Sequence, residues 1–575
     1  TLRTLFPYTT LFRSVHENEV QKLDVKKNVE KLNTSELMVQ CLESEGVKYI
    51  FGIPGEENLT FLHALKGSKI KFITTRHEQG AAFMADVYGR LTGTPGVCLS
   101  TLGPGATNLM TGVADANMDG APLVAITGQA GTDRMHLVSH QHLDLISMFA
   151  PITKWNKQIV RPDTAPEIIR KAFKLAIGEK PGAVHIDLPE NIASMAVLGR
   201  PLAHGDNEKS YATYSSIKRA ADAISNAKNP VILAGNGIIR SKASKALTEM
   251  VEKLRIPVAN TFMAKGVVSY KNPLSLWSIG LAQRDYVNRL FEKVDLVIAV
   301  GYDIVEYDPK KWNKNESIKI IHIAEENAEV NKCYIPEVEV IGDISYSINE
   351  ISALAHRALE PVFALHIKTK MEANYESYAK DFSYPMKPQK ILYDLRKVMG
   401  DDDIVISDVG AHKMWVARHY RAVMPNTCLI SNGFASMGIA VPGAVAAKLI
   451  NPQRKVVAVT GDGGFMMNSQ ELETALRIGT PFVTLIFNDS AYGLIRWKQQ
   501  DRFGEDMNVQ FTNPDFVMYA QAMGAKGYRV TRAEDLTPIL QEALAQNIPT
   551  IIDCPVDYRE NVKLTNTLKE FSIDN

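Results

Sequence analysis

Cysteine is scarce, and its placement offers no pairing: Cys41, Cys98, Cys333, Cys428 and Cys554 are odd in number and widely scattered. That argues against a disulfide framework or a zinc finger and fits a reducing, cytoplasmic setting. Net charge is missing too. Lys and Arg number 64 and Asp and Glu 64, so no overall field favours nucleic acid or an anionic membrane. No apolar run approaches the ~18 residues of a membrane span. Short-period repeats and low-complexity tracts are also lacking. What remains is ordinary, with 45% apolar and 22% charged residues, the composition of a globular protein.

A chain of 575 residues is too long for one core, and about 150 residues per domain predicts three or four. Thr1 to Ser14 is basic and aromatic, lacks the pattern of a secretory signal, and reads as a non-native scar. Residues 1–32 are set aside as a leader and 561–575 as a polar tail. Loose, polar stretches at 194–213 and 358–388 separate three α/β units, 33–200, 214–357 and 385–560. In the first, strands at 49–52, 71–75, 97–101, 123–127 and 183–188 alternate with helices at 57–65 and 79–91. Strands at 231–234, 294–300 and 318–323 follow in the second, and at 404–406, 456–460, 482–487 and 550–552 in the third. Such alternation predicts doubly wound parallel sheets with helices on both faces.

The chemistry concentrates in the third unit. Val456 to Thr460 reads as a buried strand running into Gly461-Asp462-Gly463-Gly464, a turn too tight for ordinary side chains. Phe482 to Phe487 is a second such strand, ending in Asn488-Asp489. Asp462 and Asp489 then both lie at carboxyl ends of strands, where open α/β sheets bind ligands. Two carboxylates, a backbone carbonyl and phosphate oxygens suit Mg²⁺, while glycine amides and a helix start suit a diphosphate. A lone Gly-Asp-Gly is equally a plain strand-turn-helix, and the second Asp tips the balance. The helix after the turn is expected to bury Leu472, Ala475 and Leu476 and to turn Glu471, Glu473 and Arg477 elsewhere.

Gly461-Asp462-Gly463, twenty-four residues, then Asn488-Asp489 resembles the signature of thiamine diphosphate enzymes, with Asp489 where Asn is usual. Three α/β units with this motif in the third are similar to the acetohydroxyacid synthase group over about 33–560. The resemblance implies that the cofactor's pyrimidine binds the first unit of one subunit and its diphosphate the third unit of another. A homodimer is then the minimum and a homotetramer is expected, with no regulatory subunit. In Arg76-His77-Glu78-Gln79-Gly80, Glu78 takes the role of the carboxylate that bonds the aminopyrimidine ring and activates the cofactor; a helix-start Glu would look the same. Gln129 and His140, with His142 behind it, are candidates to line the active site. The Leu102-Gly103-Pro104-Gly105-Ala106-Thr107-Asn108 turn is expected to supply backbone packing. Gly410, Ala411 and His412 would donate to the diphosphate, and Met437 would wedge under the cofactor. Gly461, Gly463, Gly464 and Tyr492 complete the cofactor site, and Asp462, Asp489 and the carbonyl of Ala491 hold the metal.

Two departures narrow the branch. Biosynthetic members carry an arginine-flanked segment and bind FAD; here Gly301-Tyr302-Asp303-Ile304-Val305-Glu306-Tyr307-Asp308-Pro309 lacks both arginines, so FAD is not expected. Gly235-Asn236-Gly237 is only a weak dinucleotide hint. Lys498 stands where those members have a Trp that favours a larger second keto acid. The resemblance therefore implies the catabolic, FAD-independent type, which acts on pyruvate alone and makes 2-acetolactate and CO₂ for acetoin formation. Alternatives are another 2-keto acid decarboxylase or oxidase using the same cofactor, and a non-catalytic nucleotide-binding protein on the same sheets.

Overall fold

The computed structural model describes residues 32–205, 208–280 and 286–566. The expected leader up to residue 31 and the expected tail from residue 567 lie outside them. Three six-stranded sheets, parallel throughout, carry the fold. The first holds β1 (Tyr49–Gly52), β2 (Lys71–Thr74), β3 (Gly96–Ser100), β4 (Leu123–Gln129), β5 (Trp155–Gln158) and β6 (Ala183–Pro189), in the order β2-β1-β3-β4-β6-β5. The second holds β7 (Pro230–Ala234), β8 (Val258–Asn260), β9 (Ser275–Ser278), β10 (Leu296–Val300), β11 (Lys319–Ala324) and β12 (Val338–Ile341), in the order β9-β8-β7-β10-β11-β12. The third holds β13 (Ile404–Ser407), β14 (Cys428–Ile430), β15 (Val456–Gly461), β16 (Val483–Asn488), β17 (Lys526–Arg529) and β18 (Thr550–Pro555), in the order β14-β13-β15-β16-β18-β17. The first and third sheets thus share one strand order, a kinship their sequences do not display.

Six strands of these three sheets went unread in the sequence: β5, β8, β9, β12, β14 and β17. All but β8 are edge strands. An edge strand has one neighbour and can stay partly wet, so β5 (Trp-Asn-Lys-Gln) and β17 (Lys-Gly-Tyr-Arg) show no apolar run. The stretch 358–388 is not loose along its length: Val362–Ser377 is a helix that buries Ala364, Ile367, Met371 and Tyr375, a helical spacing. Among the described residues no helix is long and apolar enough to cross a membrane.

What positions the site is the packing of five helices. α1 (Glu78–Thr92) and α2 (Pro104–Asp119) belong to the first unit; α3 (Ala440–Ile450), α4 (Asp462–Asn468) and α5 (Glu471–Ile478) belong to the third. Small residues let them approach closely: a Cβ on Gly112 would lie 2.6 Å from that of Ala82, and one on Gly443 would lie 2.9 Å from Val87 Cγ2. One core therefore runs without a break from Ala81, Phe83 and Val87 in α1 to Val441, Ala444, Phe465 and Leu472 in the third unit. The central unit keeps cores of its own.

Candidate active site

In the third sheet β14 lies beyond β13 and β16 beyond β15, so the chain leaves β13 and β15 in opposite senses. The turns at their carboxyl ends, 408–411 and 461–464, sit side by side across that switch point, the usual ligand crevice of such sheets. Asp408 is fully buried and accepts from Val409 N, Gly438 N and Ala440 N at 2.7, 2.8 and 3.1 Å. It thereby fixes the turn that carries the half-buried Met437. Burial pushes the Asp408 carboxyl up to about 6 in spite of these donors. Gly464 is obligatory here, because a Cβ would lie 2.8 Å from Asp408 Oδ1.

His412 packs against the same turns: a Cβ on Gly461 would meet its Nδ1 at 3.1 Å, and one on Gly410 its Cε1 at 2.8 Å. Burial pushes the ring down to about 3, so it is neutral at physiological pH, and its Nε2 is buried without a partner. Ala411 is buried at the first turn of the Ala411–His419 helix. These features fit a ligand that offers polar atoms to this crevice.

Asp462 opens α4. Its carboxylate accepts from Gly463 N at 2.9 Å, and from Ser490 N and Asn513 Nδ2 at 2.7 Å each. Burial and the neighbouring Asp462 charge push Asp489 up to about 7. Two mutually repelling carboxylates are a set that a hard divalent cation would relieve. The Ala491 carbonyl accepts from Gly493 N at 2.9 Å, and the Tyr492 ring meets Phe511 with centroids 5.0 Å apart, directly over Gly463. Among the described residues no group of three or more His, Cys, Asp and Glu could hold a metal alone. Asn488 is occupied structurally, donating to Asp553 Oδ1 at 2.8 Å and accepting from Asn513 at 3.0 Å. Asn513, absent from the sequence reading, is the side chain that ties Asp462 to Asn488; it sits in an irregular segment with no motif to flag it.

In the first unit Glu78 starts α1 and is 8% exposed. Asn108 Nδ2, one turn into α2, donates to its Oε2 at 3.0 Å, while Oε1 faces Gly105, where a Cβ would lie 3.3 Å away. The 102–108 turn thus supplies a side chain as well as backbone. Gln129 is buried at the end of β4, donating to Leu143 O at 3.1 Å and accepting from Ala130 N at 2.8 Å. His142 Nδ1 meets Gln129 Oε1 at 3.0 Å. The His140 ring is exposed and only its carbonyl is engaged, by Arg134 at 3.3 Å. None of the hydrogen bonds of Glu78, Asp462 or Asp489 joins the two groups within one chain.

Three family profiles cover this architecture in order: thiamine pyrophosphate enzyme, N-terminal TPP binding domain at 32–148, central domain at 217–351, and C-terminal TPP binding domain at 408–554. The acetolactate synthase of Bacillus subtilis is 36% identical over 557 residues, covering 94% of this chain and 96% of the relative. The chain belongs to the thiamine pyrophosphate enzymes. A probable acetolactate synthase large subunit of Methanocaldococcus jannaschii is 36% identical over 576 residues, 94% of this chain and 96% of the relative. A catabolic acetolactate synthase of Raoultella terrigena is 34% identical over 542 residues, covering 93% and 97%. The chain thus carries both an N-terminal and a C-terminal TPP binding domain, and the Glu78 and Asp462 motifs fall one in each.

Proposed function

We propose that this chain is a catabolic, FAD-independent acetolactate synthase that decarboxylates one pyruvate and joins the remaining two carbons to a second, releasing 2-acetolactate and CO₂. The observation that carries the reading is the switch point of the third sheet, where the 408–411 and 461–464 turns, the orphaned His412 Nε2 and the Asp462–Asp489 pair converge. Asp462, Asp489 and the Ala491 carbonyl would hold Mg²⁺, and Gly410, Ala411, His412, Gly461, Gly463, Gly464 and Tyr492 would surround the diphosphate. When bound, thiamine diphosphate supplies the electron sink that decarboxylation of a 2-keto acid requires. Glu78 would hold a proton at the pyrimidine ring, oriented by the Asn108 amide on its other oxygen. Met437 would support the rings from the turn that Asp408 fixes. Gln129 and His140, with His142 beside Gln129 at 3.0 Å, would line the pocket for the keto acid.

The central unit supports the absence of FAD. Its switch point lies between β7 and β10, and there the Glu306 carboxylate accepts from Asn236 N at 3.0 Å and from the Thr261 hydroxyl. A buried carboxylate bonded to that amide disfavours a dinucleotide phosphate at the same point, which supports the reading without FAD. Exposed apolar side chains on both cofactor units support assembly of a homodimer or homotetramer: Leu137, Val138 and Leu143 in one, Ile495, Phe503 and Met507 in the other.

The test is to supply pyruvate with and without thiamine diphosphate and Mg²⁺ and to identify the product. 2-Acetolactate from a protein without flavin absorbance is expected; acetaldehyde, or bound flavin, would overturn the reading. Glu78→Gln should retain the cofactor and lose at least about tenfold in turnover.

A further inference from the structure

Glu471 was expected on the polar side of its helix and is instead fully buried. Its Oε1 accepts from Arg76 N and His77 N, each at 3.0 Å, and its Oε2 from Arg76 N at 3.3 Å and Thr474 Oγ1 at 2.6 Å. Arg76 and His77 are the two residues immediately before Glu78. They belong to the first unit, whereas Glu471 opens α5 in the third. A carboxylate this deep is costly to bury, and burial pushes it up to about 7. Capping of α1 does not require it, because His77 Nδ1 already accepts from Gln79 N at 3.1 Å.

The contact is one of several from the same short stretch. Asn468 donates to Gln79 Oε1 at 3.2 Å and to Gly438 O at 2.9 Å, and Arg477 donates to Thr74 O. Residues 74, 76, 77 and 79 are therefore all held from the segment between 468 and 477. Space is tailored to this arrangement at Gly80, where a Cβ would lie 2.6 Å from Glu471 Oε1 and 2.8 Å from its Cδ. Any side chain at that position drives the carboxylate off the two amides.

We infer that Glu471 is a positioning residue for Glu78: a carboxylate of the third unit clamps the Arg76 and His77 amides and so sets where the first unit presents its activating acid. The inference rests on the role of Glu78 proposed above. Its oxygens are committed to backbone and Thr474, so Glu471 touches neither cofactor nor substrate and acts only through Glu78.

The experiment compares wild type, Glu471→Gln, Glu471→Ala, Gly80→Ala and Glu78→Gln as full-length proteins. The cofactor-free proteins are examined first by amide hydrogen exchange, where residues 76–77 should exchange about tenfold faster in Glu471→Ala and Gly80→Ala. Loaded with thiamine diphosphate and Mg²⁺, these two variants should bind the cofactor within about twofold of wild type and keep the KM for pyruvate within about threefold, while kcat and exchange of the cofactor's thiazolium C2 proton fall about tenfold or more. Glu471→Gln keeps one acceptor oxygen and should fall between them and wild type. Glu471→Ala combined with Gly80→Ala should be no worse than the poorer single variant, since both break one contact. Wild-type kcat in Gly80→Ala and Glu471→Gln, beside a Glu78→Gln that has lost turnover, overturns the inference and leaves Glu78 in its role. Loss of cofactor affinity in step with kcat also overturns it, by making Glu471 a support of the diphosphate unit alone. Full turnover in Glu78→Gln would remove the reading beneath it.

Discussion

His185 shows how burial decides the state of a single ring. It lies fully buried in β6, stacked on Phe149 with centroids 4.0 Å apart. Thr127 donates to Asp187 Oδ1 at 2.8 Å, so it accepts from His185 Nε2 at 2.8 Å, which fixes the tautomer and leaves Nδ1 unprotonated and without a partner. Burial pushes the ring down to about 3. The unfolded chain takes up a proton near pH ~6.5 that the folded chain refuses, so this contribution to stability is full above that value and is lost as pH falls toward 3. Between pH 7.5 and 5.5 wild type should lose about 1.4 kcal/mol more than His185→Gln. Chemical denaturation at the two pH values measures it, and parallel losses would contradict a buried neutral ring. Asp187 carries the opposite sign: burial pushes it up to about 6, and its contribution falls as pH rises through that value.

Between elements, the decisive contact is a buried charge cluster where α1 and α2 meet the loop after β14. Arg90 reaches Asp86 at 2.5 Å and Asp115 and Asp119 at 2.9 Å each. The same carboxylates hold the loop ahead of Met437: Asp115 accepts from Ser431 Oγ at 2.6 Å and Ser436 N at 3.2 Å, and Asp119 from Asn432 N at 3.0 Å and Gly433 N at 2.5 Å. A second cation, the buried Lys413, feels Asp119 and Asp115 as well, yet burial pushes it down to about 8. Removing the guanidinium strands three buried carboxylates. Arg90→Met should therefore cost about 3–5 kcal/mol. It should also weaken thiamine diphosphate binding, as the 431–438 loop loosens. Thermal unfolding and a cofactor titration read the two effects; an unchanged melting temperature would show that the cluster contributes nothing net.

For the whole molecule, the proposed division of the site between subunits has a countable consequence. Mixed dimers of Glu78→Gln and Asp462→Ala chains have one site with both lesions and one with neither. Equal mixing of the two inactive variants should recover about a quarter of wild-type activity if sites cross between chains. No recovery after verified exchange of subunits would place each site within one chain. By itself the sequence determined the α/β class, every central strand but β8 and the Asp462–Asp489 pair, because buried parallel strands are apolar runs and open sheets of this kind bind ligands at their carboxyl ends. Glu78 stood out only through the resemblance to thiamine diphosphate enzymes, because a Glu that merely opens a helix looks the same in sequence. Only the tertiary structure decided most of the edge strands, of which β5 and β17 stay partly wet, and the partnerships made between residues far apart in the chain. Glu471 is polar by composition and became a buried clamp because Arg76 and His77, nearly four hundred residues earlier, point their amides at it. Asp115 on Ser431 is of the same kind, and Asn108 on Glu78 and Asp408 under Gly438 are shorter-range instances, each 30 residues apart. Periodicity records which face a residue shares with its near neighbours; it carries no information about which distant backbone comes to meet it.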